Sequence, residues 1–244
     1  MVFNRIISSA KYRLLRRRLR LVECPDGLEV TLGQVRIKVR IAPTERDVQL
    51  HEFHKIVVED CYRLSDLREI SQVVDVGANL GFFALACQRF FPGSHVSCFE
   101  PNRDIFPLLA GNTSDFCINA ENCAVGFKAG VIELKRQANS LHSIARESAG
   151  EGIPKIAFSS ITGRHDIVHL VKLDCEGAEW EILEDVAAWQ NVRNLTMEYH
   201  LWAKTGAVVD DVVLAVRKCG LKVIDIVPSV NGPFGMLYAT RPTY

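Results

Sequence analysis

Residues 71–85 read SQVVDVGANLGFFAL, an apolar stretch that runs into glycines and back out into an apolar stretch. Val73, Val74, Asp75 and Val76 have the β-branched content of a short buried strand, and a turn signal follows at once. After Gly81 the apolar positions Phe82, Leu85, Ala86 and Phe90 return at helical spacing. Strand, glycine turn and helix therefore follow one another, and a helix opened by glycines offers unpaired backbone N–H groups to a ligand.

Downstream the rhythm repeats. Strands are predicted at 72–77, 95–100, 116–124, 168–174, 193–199 and 221–227, helices at 80–91, 103–113, 178–189 and 207–219, and PFGMLYATR (233–241) closes the pattern as a last strand. Alternating strands and helices mean crossover connections, so the fold class is α/β, a doubly wound, mostly parallel sheet of seven strands. Between 125 and 167 the alternation breaks, and GVIELKRQ with the Ser- and Gly-containing stretch after it predicts a short hairpin and a loop near the ligand face. Ligands of such sheets bind beyond the carboxyl ends of the strands.

Upstream, DGLEVTLGQVRIKVRIAP (26–43) alternates Leu28, Val30 and Leu32, then Val35, Ile37, Val39 and Ile41, around Gly33-Gln34, which suits a type II′ hairpin turn. Residues 44–64 predict a helix with Val48, His51, Ile56 and Val57 on its apolar side. The first 22 residues hold seven Lys or Arg and no acid, with Phe3, Ile7, Ala10, Leu14 and Leu21 able to share a helical face. Such a basic amphipathic segment is suited to an anionic membrane surface, a polyanion or a mitochondrial presequence, or to packing on its own domain. The organisation expected is an extension over 1–66 (basic helix, hairpin, helix) and a main domain over 67–244.

Composition sets outer bounds. The 244 residues are 48% hydrophobic, with 29 basic and 29 acidic side chains, so net charge gives no overall pull toward nucleic acid. No apolar run reaches the roughly 18–20 residues of a membrane-spanning helix. Six of the eight cysteines, Cys87, Cys98, Cys117, Cys123, Cys175 and Cys219, fall in apolar patterns without a C-x-x-C pair, which reads as buried reduced thiols and a cytoplasmic location.

Which ligand suits the first crevice? A P-loop needs Gly-Lys-Ser/Thr, which is absent, and a dinucleotide fingerprint needs G-x-G-x-x-G where this chain has Gly77-Ala-Asn-Leu-Gly81. The remaining common option is S-adenosylmethionine. Its ribose hydroxyls need an acceptor at the end of the next strand, and Glu100 in VSCFEPN stands there, 25 residues after Asp75. Asn79 inside the turn is tolerable because Asn enters left-handed conformations more readily than most residues.

VVDVGANLGFFAL, CFEPN, NCAVG, LVKLDCEGAEWEIL and LTMEYH, in this order, resemble the FkbM family of S-adenosylmethionine-dependent methyltransferases over roughly residues 70–240. The resemblance implies a class I methyltransferase (Rossmann-like) fold and methyl transfer to a hydroxyl oxygen of a sugar or polyketide-type acceptor. It places Asp75, Gly77, Asn79 and Gly81 in the first cofactor loop, Glu100 at the ribose, Asn102 and Ala124 beside the cofactor, and Asp174 and Glu176 in the acidic motif after the fourth strand. One departure is Phe127, where family members often carry Asp; it is read as core, with stacking on adenine as the alternative.

In HLVKLDCEGAEWEIL, Glu179 and Glu181 fall in the first turn of a helix, where the helix dipole explains them. Asp174 and Glu176 sit at the strand end on the crevice side, where negative charge favours a cationic cofactor and can orient a substrate hydroxyl, capping being the plainer role. In MEYH, Glu198 and His200 share a strand face. Asp174, Glu176, Glu198 and His200 are therefore the catalytic candidates, with in-line displacement at the sulfonium methyl and His200 or Asp174 receiving the proton. Asp174, Glu176 and Glu198 could gather a divalent ion, but no obligatory metal is expected. The partner expected is a small-molecule or glycan hydroxyl. Recognition from the hairpin, residues 44–66 and the 136–166 loop is expected. Alternatives are an RNA methyltransferase, supported only by the basic N-terminus, and a non-catalytic cofactor-binding adaptor.

Overall fold

The computed structural model describes residues 20–25, 27–32, 35–136, 143–147 and 152–242. Most of the basic segment, the Gly33-Gln34 turn and the 137–142 and 148–151 parts of the variable region lie outside the described residues.

The main sheet contains β4 (Gln72–Val76), β5 (His95–Phe99), β6 (Ile118–Glu121), β11 (Val168–Leu173), β12 (Val192–His200), β13 (Lys222–Pro228) and β14 (Phe234–Thr240). Their order is β13-β14-β12-β11-β4-β5-β6, and the five strands from β12 to β6 are parallel while β14 runs antiparallel to both neighbours. This is the seven-stranded class I methyltransferase sheet. Strand order reverses between β4 and β11, the switch point where the crevice opens. The crossover helices are α2 (Phe82–Phe90), α3 (Phe106–Thr113), α5 (Glu179–Glu184) and α6 (Val209–Lys218).

Three predicted boundaries differ from the sequence reading, each for a visible reason. The strand expected at 116–124 is two: β6 ends at Glu121, and after Asn122 and Cys123 the chain leaves the sheet as β7 (Ala124–Gly126). Asn122 fixes this exit by donating its side-chain N–H to Glu100 O at 2.8 Å. The helix expected over 178–189 breaks after Glu184, and Trp189 caps the broken end by donating its indole N–H to Ile182 O at 3.1 Å. The helix over 44–64 is α1 (Arg46–Phe53) followed by a π-helical turn at His54–Val58. It buries Gln49, Phe53, Val57 and Val58; of the expected apolar side Val57 is buried and Ile56 half-buried, whereas Val48 and His51 are exposed. Gln49 can be buried because its side chain accepts Ala42 N–H at 2.7 Å and donates to Glu45 at 3.0 Å.

The variable region is more regular than expected. β7 pairs in parallel with β10 (Ile153–Ala157), which pairs with β8 (Gly130–Arg136), which pairs with β9 (Ser143–Glu147), giving a second sheet of four strands. α4 (Phe158–Thr162) leads back to the main sheet. At the N-terminal end β1 (Val22–Cys24), β2 (Gly27–Leu32) and β3 (Val35–Arg40) form an antiparallel sheet. Its Leu28, Val30, Leu32, Ile37 and Val39 lie in one core cluster with Val73, Phe83 and Leu85, so the hairpin and the main sheet share apolar packing. All eight cysteines are free; five of the six read as buried are buried or half-buried, and Cys117 is exposed. Among the described residues no helix is long and apolar enough to cross a membrane.

Candidate active site

A cavity of about 980 Å³ lies at the carboxyl ends of β5, β4, β11 and β12, at the upper end of the range for small-molecule sites. Gly77, Asn79, Glu100, Asn102, Ala124, Asp174, Glu176, Glu198 and His200 all line it. Asp75 and Gly81 do not. Asp75 is fully buried beneath the turn, 3.1 Å from the Lys172 ammonium, because its strand position points into the layer below. Gly81 opens α2 and packs against Leu109 and Thr113 of α3. Both therefore support the cofactor turn from outside the cavity.

The turn itself is built for close approach. Gly77 has φ +74°, and a Cβ there would stand 1.9 Å from Asp174 O, so only glycine lets β4 and β11 end this close together. Asn79 takes φ +48°, the left-handed conformation expected for it. Glu100 accepts Asn79 N–H through one carboxylate oxygen and Asn102 N–H through the other, both at 2.8 Å. Its carboxylate is thus fixed between the glycine turn and its own loop, with further lone pairs to offer a diol.

Does S-adenosylmethionine fit these residues? Asn79 Oδ1 is buried and has no hydrogen-bond partner in the protein, which is the signature of an atom that a ligand satisfies. Together with the Gly77 cradle and the doubly tethered Glu100, the turn fits the cofactor.

Glu100 also predicts a pH dependence. Burial pushes its carboxyl above the ordinary 4.5, against the pull of the Asn102 and Asn79 N–H groups. A ribose diol is held by the ionised form, which is populated above the pKa and lost as pH falls through it. Affinity for S-adenosylhomocysteine is therefore expected to weaken on acidification at a higher pH than an ordinary glutamate would allow. Glu100→Gln should flatten that profile and lower affinity at neutral pH by about 10–100-fold, the value of a hydrogen bond to a charged group. Calorimetric titration across pH reads both effects.

The other half of the cavity is organised around His200. Its ring is 5% exposed, with Nδ1 3.2 Å from Glu179 Oε1 and Nε2 3.7 Å from Glu176 Oε2. Burial pushes the imidazole down, but the Glu179 hydrogen bond and the charges of Glu179, Asp174 and Glu176 reverse this and raise it to about 9. Glu179 is the residue the sequence reading undervalued. It is 1% exposed and accepts Cys175 N–H at 2.7 Å and Gly177 N–H at 2.8 Å, tying the loop after β11 to the end of β12. Glu176 in that loop has φ +53°, an uncommon conformation for glutamate.

Asp174 accepts the Tyr62 hydroxyl at 2.8 Å. Burial pushes its carboxyl up, and Lys172, His200, Tyr62 and Lys55 outweigh burial to hold it below the ordinary value. Burial and Asp174 push Glu198 up to about 7 despite Lys55 and His200. Lys55 lies 4.0 Å from Glu198 and 3.9 Å from Glu52. Glu181 accepts Phe127 N–H at 2.9 Å and pairs with Lys155 at 2.9 Å, anchoring the second sheet over the cavity. Phe127 itself is 38% exposed and does not line the cavity, so the core reading is corrected; its backbone, not its ring, is what the fold uses.

Trp180, Trp202 and Phe234 also line the cavity and were not anticipated. Trp202 follows His200 in HLWA, the one signal available for it. Recognition elements contribute unequally: Val48, Glu52 and Lys55 from the α1 region and Ile132, Leu134 and Lys155 from the second sheet line the cavity, and no described residue of β2 or β3 does.

The model of the Methyltransferase FkbM domain matches residues 75–223. Methyltransferase sdnD of Sordaria araneosa is 26% identical over 196 residues, covering 63% of this chain and 75% of that protein. Methyltransferase 1 of Beauveria bassiana (strain ARSEF 2860) is 24% identical over 183 residues, covering 62% and 74%. Among solved structures, the magnesium protoporphyrin IX methyltransferase of Synechocystis PCC 6803, with bound S-adenosylmethionine, superposes with a TM-score of 0.49 at 9% identity, covering 99% of this chain and 96% of that one. With the cofactor turn, Glu100 and the acidic motif in place and the match spanning most of the domain that carries them, this chain belongs to the FkbM family of S-adenosylmethionine-dependent methyltransferases.

Proposed function

We propose that this methyltransferase acts on a hydroxyl oxygen of a small molecule or glycan. The observation that carries the reading is the placement of Glu198 on the cavity wall, in a lining that also includes Trp202, Phe234 and Val48. It stands at the end of β12, three strand positions from Glu100 at the end of β5, roughly 14 Å at about 4.8 Å per strand. Adenosyl recognition and acceptor recognition are thereby set at two ends of one cavity.

The bound cofactor supplies an electrophilic methyl group on a sulfonium. Gly77, Asn79 and Glu100 hold the nucleoside, and Asp174 lies between the two halves, where its negative charge favours the sulfonium. The aromatic wall excludes water and orients the acceptor. Glu198 receives the hydroxyl proton. This assignment replaces His200 as proton acceptor, because both ring nitrogens of His200 face carboxylates and Glu198 alone of the β12 pair is left to the acceptor.

The test is incubation with methyl-labelled S-adenosylmethionine and a panel of matched alcohols, phenols, amines and carboxylic acids, with products read by mass spectrometry. Label is expected in products that survive mild alkali, as ethers do and methyl esters do not. Transfer only to nitrogen, carbon or carboxylate would overturn the reading.

A further inference from the structure

We propose that Asp174, Glu176 and His200 form a divalent metal site in the acceptor half of the cavity. One donor atom from each lies within 4.8 Å of the others. The three come from two elements, the loop after β11 and the end of β12, so their convergence is a product of the fold and not of sequence adjacency. The sequence reading had grouped Glu198 with the two acids; the fold sets Glu198 beside Lys55 and brings His200 in its place.

The second observation lies outside the cluster. A histidine that binds a metal through one ring nitrogen almost always has the other held by a carboxylate or carbonyl, which fixes its tautomer and orientation. Glu179 occupies that position at His200 Nδ1, and two backbone N–H groups lock Glu179 in turn. With Nδ1–H given to Glu179, Nε2 is the ring nitrogen on the Glu176 side, and an ion that binds there takes the place of its proton. Its separation from Glu176 Oε2, 3.7 Å, is too long for a hydrogen bond. It is close to the roughly 3.0–3.6 Å between two donors that share one ion at about 2.1 Å from each. Tyr62 fixes Asp174 in the same manner, through a hydroxyl donated to Oδ2.

One imidazole and two carboxylates form a mixed nitrogen and oxygen set, suited to Mn²⁺, Fe²⁺, Co²⁺ or Zn²⁺ more than to Mg²⁺ or Ca²⁺, which favour oxygen throughout. Three protein donors leave open positions for an acceptor oxygen, whose proton a Lewis acid loosens. That role rests on the hydroxyl-transfer reading above; binding of the ion does not.

The experiment is titration of Co²⁺ into the full chain saturated with S-adenosylhomocysteine, following the visible absorption of the ion, with calorimetric nucleoside binding as the check of folding. One equivalent is expected to bind saturably. Glu176→Gln and His200→Gln should weaken it at least about tenfold, and Glu179→Gln, which touches no ion, by about 10–100-fold. Should the buried His200 variant fail to bind nucleoside, Glu176→Gln decides, since that side chain is 18% exposed and keeps its size. Absence of one-equivalent binding, or equal affinity in the parent and the Glu176 variant, overturns the site. A chain that binds the nucleoside but not cobalt does so while leaving the hydroxyl-transfer reading standing.

Discussion

A Lys172→Met variant is expected to lose about 3–5 kcal/mol of stability in urea unfolding, the cost of removing one partner of a buried ion pair. Lys172 is 3% exposed and Asp75 0%. The ammonium lies 3.1 Å from Asp75 Oδ1, the distance of a close ion pair. Its donors also reach Gly77 O at 2.6 Å and Val76 O at 3.3 Å. Burial works against the Lys172 charge, and Asp75 and Asp174 outweigh it, holding the ammonium above its ordinary pKa. Methionine fills the same space but takes the counter-charge from Asp75, whose carboxyl burial already pushes up, so the acid must take a proton or stand unpaired in a dry layer with only the weak Cys98 thiol contact at 3.9 Å. Asp75→Asn in the same chain should restore part of the loss, because the amide removes the unpaired charge. A single variant that loses under about 1 kcal/mol would mean that water reaches Asp75. The carbonyl of Gly77 also loses its donor, so nucleoside affinity should drop alongside stability.

This pair shows where sequence reading reaches and where it stops. Asp75 and Gly77 are two residues apart in VVDVGANLG, and nothing local separates the one that lines the cavity from the one that supports it. The alternation of a strand does not help when both faces are buried, as they are for a parallel sheet between helices. The cofactor half was legible because its parts are contiguous or one strand apart: the glycine turn, Asn79 in a left-handed conformation, Glu100 at the next strand end. The other half depends on side chains that reach back across the fold. Glu179 had a sufficient local explanation in the helix dipole, and only the folded chain shows it gripping two N–H groups and His200. The second sheet is legible only as a hairpin and a loop because its strands pair across gaps, β7 with β10 at a distance of about 30 residues. In the α1 region the misses, Val48 and His51, fall in the regular helix, where the buried Gln49 carries no apolar signal, while Val57 in the π turn faces inward as expected.

For the chemical step, Glu198→Gln is expected to lower kcat by about 10²–10⁴, the contribution of a positioned general base, with nucleoside affinity within about twofold of the parent. The asymmetry follows from position: Glu198 belongs to the β12 end of the cavity, and Gly77, Asn79 and Glu100, proposed to hold the nucleoside, line it at the ends of β4 and β5. Glutamine preserves volume and can still hydrogen-bond an acceptor, so what it removes is the ability to take a proton. A structural alternative makes a different forecast. If Glu198 served only to hold Lys55, 4.0 Å away, then Lys55→Met would reproduce the loss. Lys55 has Glu52 as a second partner at 3.9 Å and, as an ammonium, cannot accept the hydroxyl proton, so its variant should stay within about tenfold of the parent. Equal losses in the two variants, or a Glu198→Gln enzyme that keeps more than about a tenth of its rate, would move the proton to another group. Single-turnover measurement with the nucleoside site saturated separates this from a change in binding, because a missing base slows the methyl transfer itself and leaves KM for the cofactor where it was.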